Sequence, residues 1–429
     1  MRVLLLAELA DPAVGSWSRL TFQLARDLQA RGHECTVVGA VRTEAEACPG
    51  EVMGVPVHRI ASDYPVRWRA WRSLHNPVVD EPLERILADF RPDIVHAHGL
   101  HTHLGYHALT QARRSGAGVV FTAHDVMTFC YQKLTCFHGG EEAGGQEFDV
   151  VARASKCVPC QRLRFRPGRN ASIRRVLERD VDRVTVVSDA LGEVLRANRV
   201  PVHATVHNGL ALQPAPPDPA RVRSLRERVG AGERPLLAMG GRLHTQKGVG
   251  KLLEMLALLG PKHPDLGLLV MGRREVYDTE FAAQARALGV ADRVLPTGWL
   301  EGEDLPAAYA AADVFATPSI CFDTFGMVNL EAMEHSKPVV ATSFGGSAEV
   351  VEHGVTGFIA NPFDVQAFAG HLDALLSDPA RAREMGEAGR RRLVERFTLT
   401  RMTDRFLEEY GCARASAGRA EGGRARPRT

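Results

Sequence analysis

This sequence predicts two doubly wound α/β domains facing each other across a cleft, and three observations lead there. Short apolar runs alternate with amphipathic helical patterns along most of the chain, the signature of parallel sheets with crossover helices. The runs form two sets, separated by the proline-rich stretch Leu212 to Pro219. With 429 residues and 45% apolar content, the chain can bury two ordinary cores.

The first set of strands reads Val3 to Leu6, Cys35 to Val38, Ile94 to Ala97, Val119 to Thr122 and Val184 to Val187, with a helical pattern from Arg19 to Arg31 among the intervening segments. The second set reads Leu236 to Met239, Leu268 to Met271, Val294-Leu295, Val314 to Ala316 and Val339-Val340. A hinge near Asn208-Gly209 divides a first domain, 1–208, from a second, 209–395. A helix near Leu399 to Tyr410 follows, within 396–411, and the Ala-, Gly- and Arg-rich tail 412–429 reads as disordered. Ligands of open α/β sheets bind beyond the C-terminal strand ends, so those loops are where chemistry is expected.

Composition excludes several classes. A net charge of +2 gives no whole-chain argument for nucleic acid. No apolar run approaches the roughly 18 residues of a spanning helix, and Arg2 to Ala7 is too short an opening for a signal peptide. A cytoplasmic protein is expected. Eight cysteines in a chain of this length point to reduced thiols or a metal site rather than a disulfide framework.

The most informative stretch runs from Cys321 to Glu331 and on through Lys337-Pro338 to Gly345-Gly346. Thr324, Phe325 and Gly326 are poor helix-interior residues set before the apolar positions Met327, Val328, Leu330 and Met333, so a helix opens near Gly326. Its unpaired N–H groups and partial positive charge suit phosphate oxygens, and glycine lets a ligand approach the backbone. Asp323 and Glu331 lie eight positions apart, a rise of roughly 12 Å if helical throughout, and could accept hydroxyl hydrogen bonds at opposite ends of one ligand. A surface-charged helix after an ordinary loop is the alternative on spacing alone.

With the strand Val339 to Ala341, the Gly345-Gly346 turn and the element Gly354-Val-Thr-Gly357-Phe358, this region resembles the retaining glycosyltransferases of family 4, which have the GT-B fold. The family pattern is Glu-x7-Glu, and Asp323 stands here for the first Glu. The resemblance extends from Met1 to about Gly411 and implies transfer of a sugar from a nucleotide-diphosphate donor to an acceptor hydroxyl. The acceptor would be a sugar, a lipid-linked sugar or a small metabolite. It also implies that the last helix crosses back onto the first domain.

The same resemblance assigns roles residue by residue. Gly240 to Gly248 follows a strand and precedes a helix from Val249 to Leu259, where Gly241, Arg242 and Lys247 match the family's diphosphate grip. Fixed cations there stabilise charge growing on the leaving phosphate, and the scheme requires no added metal. His124, after the strand ending Phe121-Thr122-Ala123, would contact the donor sugar, and His98, ending Asp93-Ile-Val-His-Ala-His98, would line the acceptor side. Gly15-Ser16 stands where the family commonly has Gly-Gly, beside Trp17, which is either a ligand contact or plain packing. Gly272 and Leu295 fall where the family cradles the base. Phe325, Gly326, Met327 and Val328 form the helix opening near the diphosphate.

Three features lie outside that pattern. Cys130, Cys136, Cys157 and Cys160 fall in one insertion, about 126–165, and would form either a structural tetrahedral zinc site or four reduced thiols beside the acceptor. Arg67-Trp-Arg-Ala-Trp-Arg72 mixes cations and indoles, as in a packing or acceptor loop or a peripheral membrane contact. Asp180-Val-Asp182, the only Asp-x-Asp, reads as a solvated turn. A sugar-nucleotide epimerase and a noncatalytic nucleotide-sugar-binding protein are the competing functions.

Overall fold

The computed structural model describes residues 1–424, and the chain forms two compact units. The first comprises Met1–Lys133, Val150–Ala211 and the chain from Leu399 onward; the second comprises Leu134–Asp149 and Leu212–Thr398.

The first unit is built on strands β1 (Arg2–Leu9), β2 (Glu34–Val41), β3 (Gly50–Val52), β4 (Val55–Ala61), β5 (Ile94–His98), β6 (Gly118–Ala123), β7 (Arg183–Val186) and β8 (Ala204–Thr205). They lie in the order β3-β4-β2-β1-β5-β6-β7-β8. Every pair is parallel except β3 with β4. The central strands are buried on both faces, as continuous apolar runs such as Val3 to Leu6 require. Winding proceeds outward in both directions from β1, so the order reverses between β1 and β5.

The second unit carries β9 (Leu236–Gly240), β10 (Gly267–Met271), β11 (Val294–Gly298), β12 (Val314–Thr317), β13 (Val339–Thr342) and β14 (Gly357–Ala360). This all-parallel sheet has the order β11-β10-β9-β12-β13-β14, and its reversal falls between β9 and β12. Helix Val249–Leu259 covers the sheet with Leu252, Leu253, Met255 and Leu256, all fully buried. Burial of each such side chain contributes about 1.5–3 kcal/mol.

Several sequence expectations change. The tail from 412 is not disordered as far as it is described: helix Leu399–Arg424 runs on through it, and Ala413 is fully buried. Residues 425–429 lie outside the described residues. The helix seats Met402, Phe406 and Tyr410 in the first unit's core. The sequence reading also passed over β3, β4, β8 and β14. Pro56 and the polar pair His58-Arg59 interrupt the apolar pattern of β4. Asp180 and Asp182 are not a solvated turn: Thr110 donates to Asp180 at 2.6 Å, and Arg113 and the Val119 N–H donate to Asp182 at 3.0 and 2.8 Å.

Candidate functional site

At the second unit's strand reversal, the loops after β9 and β12 meet, the position where open α/β sheets bind ligands. Lys247 Nζ, from the first loop, lies 3.0 Å from Asp323 Oδ2 in the second. Ser319 Oγ donates to the same oxygen at 3.0 Å. Burial alone would push the Asp323 carboxyl up, but Lys247, Ser319 and the Phe325 N–H outweigh it and hold the pKa below the ordinary value. Burial likewise opposes the Lys247 charge, and Asp323 overcomes it, raising the lysine pKa. The pair is therefore fully ionised at neutral pH. Arg242 is exposed and acts electrostatically on Lys247.

Two glycines make this meeting possible. A Cβ on Gly248, at φ +76°, would sit 1.8 Å from Pro318 O, and one on Gly345, at φ +94°, would sit 2.1 Å from Asp323 O. The loop after β13 thus lies directly against Asp323, whose N–H donates to Phe344 O and whose carbonyl accepts from Gly346 N–H.

The other predicted positions of this unit divide. Helix Met327–Glu334 opens at Gly326 as expected, with φ +79° at the cap and Met327 and Val328 half-buried in its first turn. Because the helix starts only at Met327, half of the Asp323–Glu331 interval is loop. Glu331 accepts a hydrogen bond from Tyr309. Phe325 is corrected: its ring is core, 2% exposed and edge-on to Phe397 at 6.0 Å, so only its backbone faces Asp323. Gly272 is buried because a Cβ there would meet Leu243 at 2.5 Å and Gly241 O at 2.9 Å, which gives it a packing role. Leu295 is half-buried in β11, opposite Leu269.

In the first unit the loops after β1, β5 and β6 come together. Helix Ser16–Ala30 begins after Gly15, whose φ of 178° any residue adopts and where a Cβ would meet only Trp17, at an ordinary 3.5 Å; Ser16 is exposed. Trp17 stands 6.0 Å from the His124 ring and fills the space over Gly99, where a Cβ would collide with the indole at 1.7 Å. Trp17 therefore packs, and does so beside His124.

His124 Nε2 is 2.9 Å from His98 Nδ1. His98 itself is fully buried, which corrects its assignment to an acceptor-facing surface: it backs His124. Behind it the His96 ring lies tilted with its centroid 3.9 Å away, and it bonds Tyr410 Oη at 2.8 Å and Thr122 Oγ1 at 2.7 Å. Burial pushes the pKa of His124 down to about 4 and those of His96 and His98 well below the ordinary value, so the cluster is neutral at pH 7. Beside it, His101 Nε2 lies 3.1 Å from Asp125 Oδ1, and Tyr106 Oη lies 3.0 Å from His101 Nδ1. Sequence reasoning missed Ser319, Tyr309, His96 and His101, because each is recognised only by a partner brought near in space.

The cysteines do not gather as the spacing suggested. Cys136 belongs to the second unit, and among the described residues Cys130, Cys157 and Cys160 do not bring three sulfurs within reach of one ion. The short spacing puts Cys157 and Cys160 in one helix, Ala154–Gln161, without fixing where the others point.

Comparison with known proteins follows the same division. Residues 18–214 match the model for Glycosyltransferase Family 4, and residues 223–392 match that for Glycosyl transferases group 1. A GDP-mannose-dependent alpha-(1-6)-phosphatidylinositol monomannoside mannosyltransferase of Mycolicibacterium smegmatis is 36% identical over 232 residues, 52% of this chain and 60% of that protein. A sulfoquinovosyl transferase of Arabidopsis thaliana is 34% identical over 254 residues, 56% of this chain and 47% of that protein. The matched region thus spans about half to three fifths of the length of these curated relatives. Among solved structures, a sucrose-phosphate synthase from Thermosynechococcus elongatus superposes with a TM-score of 0.75 at 20% identity, covering 97% of this chain and all of that one. The HepE protein of Anabaena, in complex with UDP-glucose, gives 0.70 at 20% identity, covering 96% of this chain and 99% of that one. At such identity these likenesses speak to the GT-B fold. With one family model on each half and that fold beneath both, the chain belongs to the family 4, group 1 glycosyltransferases.

Proposed function

We propose that this protein is a retaining glycosyltransferase that moves a sugar, a hexose in the first instance, from a nucleotide-diphosphate donor to an acceptor hydroxyl. The observation that carries the reading is the meeting of Lys247, Arg242 and the Gly326 helix opening at the second unit's strand reversal. A diphosphate needs what that place offers: fixed cations, exposed N–H groups and glycine turns that admit it.

Cleaving the donor's glycosidic bond leaves negative charge on the departing diphosphate. Lys247 and Arg242 stabilise that charge without a bound metal, because they are already in place when it develops. Asp323 holds Lys247 before the donor arrives, and its carboxylate is within reach of a donor-sugar hydroxyl once the lysine turns to phosphate. Glu331 serves the ribose hydroxyls. His124, neutral and braced by His98, orients the donor sugar by hydrogen bonding, and the departing phosphate takes the acceptor's proton. Relatives and neighbours whose names carry GDP-mannose or UDP-glucose support a nucleotide-sugar donor while leaving the base open. No helix among the described residues is long and apolar enough to cross a membrane. We place the enzyme in the cytoplasm, with the Arg67–Arg72 segment, whose Trp68 and Trp71 are exposed, as its peripheral membrane contact.

The test is nucleoside-diphosphate release from uridine, guanosine and deoxythymidine diphosphate sugars, with cell extract as acceptor and mass spectrometry of the products. One donor should be consumed with a new glycoside formed, and NMR of that product should show the donor's anomeric configuration. Lys247→Ala should lower turnover by about 100-fold or more, as loss of a transition-state contact does. Donor consumption without a glycoside would indicate an epimerase, and donor binding without turnover a noncatalytic protein.

A further inference from the structure

Three metal-ligating side chains of the first unit that the transfer reaction does not use come together: His75, Asp80 and His107. Their ligand atoms all lie within 4.8 Å of one another. His75 Nε2 is 2.7 Å from Asp80 Oδ2, His107 Nε2 is 4.0 Å from Asp80 Oδ1, and the two imidazole centroids are 4.5 Å apart.

Backbone contacts fix this meeting. After the turn Pro77–Val79, helix Asp80–Phe90 opens with Asp80 in its first turn, where a carboxylate suits the helix dipole. Helix His107–Arg114 opens with His107, and its entry is tied to the other segment: Tyr106 N–H donates to Ser73 O at 2.7 Å and His107 N–H to Leu74 O at 3.0 Å. One turn further on, the buried Gln111 donates from Nε2 to Asp80 O at 2.9 Å. Gly105 permits so close an approach, since at φ +75° a Cβ there would sit 2.9 Å from Arg72 O. The three side chains thus stand on backbone that is held in place before any ligand arrives.

An ion pair accounts for only two of them. His75 bonds Asp80, but at 4.0 Å His107 is too far for a hydrogen bond to the other carboxylate oxygen, and among the described residues its imidazole makes none. Two imidazoles and a carboxylate around one point are the donor set of a borderline-soft first-row cation, whereas calcium and magnesium take oxygen ligands. Bonds of about 2.0–2.2 Å to a tetrahedral zinc place ligand atoms about 3.3 Å apart. The two separations from Asp80, 2.7 and 4.0 Å, lie on either side of that spacing, so small side-chain rotations reach it.

We propose that His75, Asp80 and His107 form a binding site for a divalent transition-metal ion, zinc in the first instance, that ties segment 73–80 to helix His107–Arg114. The role is structural and independent of the transferase reading, and the segment it fastens directly follows Arg67–Arg72. His75 is exposed and Asp80 and His107 are half-buried, so water completes the coordination and the ion exchanges with solvent. Purified protein accordingly carries less than one equivalent, and the ion is added back.

The experiment uses the full chain, stripped with chelator and dialysed. Calorimetric titration with zinc chloride should give one site in wild type, at least tenfold weaker in H75A and in H107A. Far-UV circular dichroism of the metal-free variants should match wild type; should H107A fail to fold, H75A, which replaces an exposed side chain, decides alone. Zinc should raise the thermal unfolding midpoint of wild type by several degrees and leave that of both variants unmoved. Cobalt chloride reports the ligand atoms, because nitrogen and oxygen ligands give visible d–d bands without the sulfur-to-cobalt charge-transfer band of a thiolate site. Unchanged zinc affinity in H75A overturns the proposal, as does a thiolate band in wild type that disappears in C157S/C160S. Zinc binding that leaves the wild-type midpoint unmoved overturns the structural role.

Discussion

The Lys247–Asp323 pair makes the most exacting prediction, because it joins two loops that otherwise meet through glycine turns. At 3.0 Å and an effective dielectric of about 20, Coulomb attraction alone amounts to about 5.5 kcal/mol. Desolvation of the carboxylate, 8% exposed, opposes this, and the lysine, 33% exposed, stays partly screened by water. A net coupling of about 1–3 kcal/mol is therefore expected. Urea unfolding of wild type, Lys247→Met, Asp323→Asn and the double variant closes a double-mutant cycle that reads this coupling directly. Its pH dependence has a definite sign. The carboxyl pKa is depressed below 3.8 in the folded protein, so the contribution is fully present above the unfolded value and is lost as pH falls through the folded one. Coupling within error of zero, or coupling that grows as acid is added, would refute the argument.

Four further outcomes follow from the geometry. Gly345→Ala should cost more than about 2 kcal/mol in chemical unfolding, since its Cβ would meet Asp323 O at 2.1 Å, whereas Gly354→Ala, with open space around the same backbone sign, should cost about 1 kcal/mol. Equal effects would contradict the packing. Tyr410→Phe leaves His96 Nδ1 without its buried partner, and an unfolding loss of about 1–3 kcal/mol is expected; no loss would mean that another group satisfies the imidazole. His124 titrates at about 4 in the folded protein against 6.5 unfolded, so the unfolded state gains protons first on acidification. Stability should accordingly fall between pH 6.5 and about 4, and more steeply in wild type than in His124→Gln. Finally, elemental analysis of purified protein should find less than one zinc per chain, and stoichiometric zinc removed by Cys157→Ser would show that the thiols rearrange to bind it.

Much of the architecture was legible because a parallel sheet writes itself as uninterrupted apolar runs, and Val3 to Leu6 or Leu268 to Met271 leave little choice. Helix Val249–Leu259 and the opening at Gly326 were also legible, since glycine next to periodic apolar positions is a local signal. Pairing was not. Lys247 and Asp323 lie 76 positions apart, and nothing local says that the lysine's first partner is a carboxylate. His98 looked like a strand-end ligand until helix Leu399–Arg424 brought Phe406 and Tyr410 over that face of β5. Composition misled in the tail, where Ala, Gly and Arg score as disorder although a helix already anchored by Met402 and Phe406 extends through them at low cost.

The C-terminal helix also constrains how the protein is made. The first unit's core includes Met402, Phe406, Tyr410 and Ala413, so a nascent chain that has emerged only as far as β8 lacks part of its own interior. The first unit to leave the ribosome is thus the last to be completed. A premature stop between Leu399 and Ala413 would release a chain whose earliest-synthesised half exposes apolar surface, and proofreading by chaperone and protease would fall on the beginning of the sequence for a fault in this late helix.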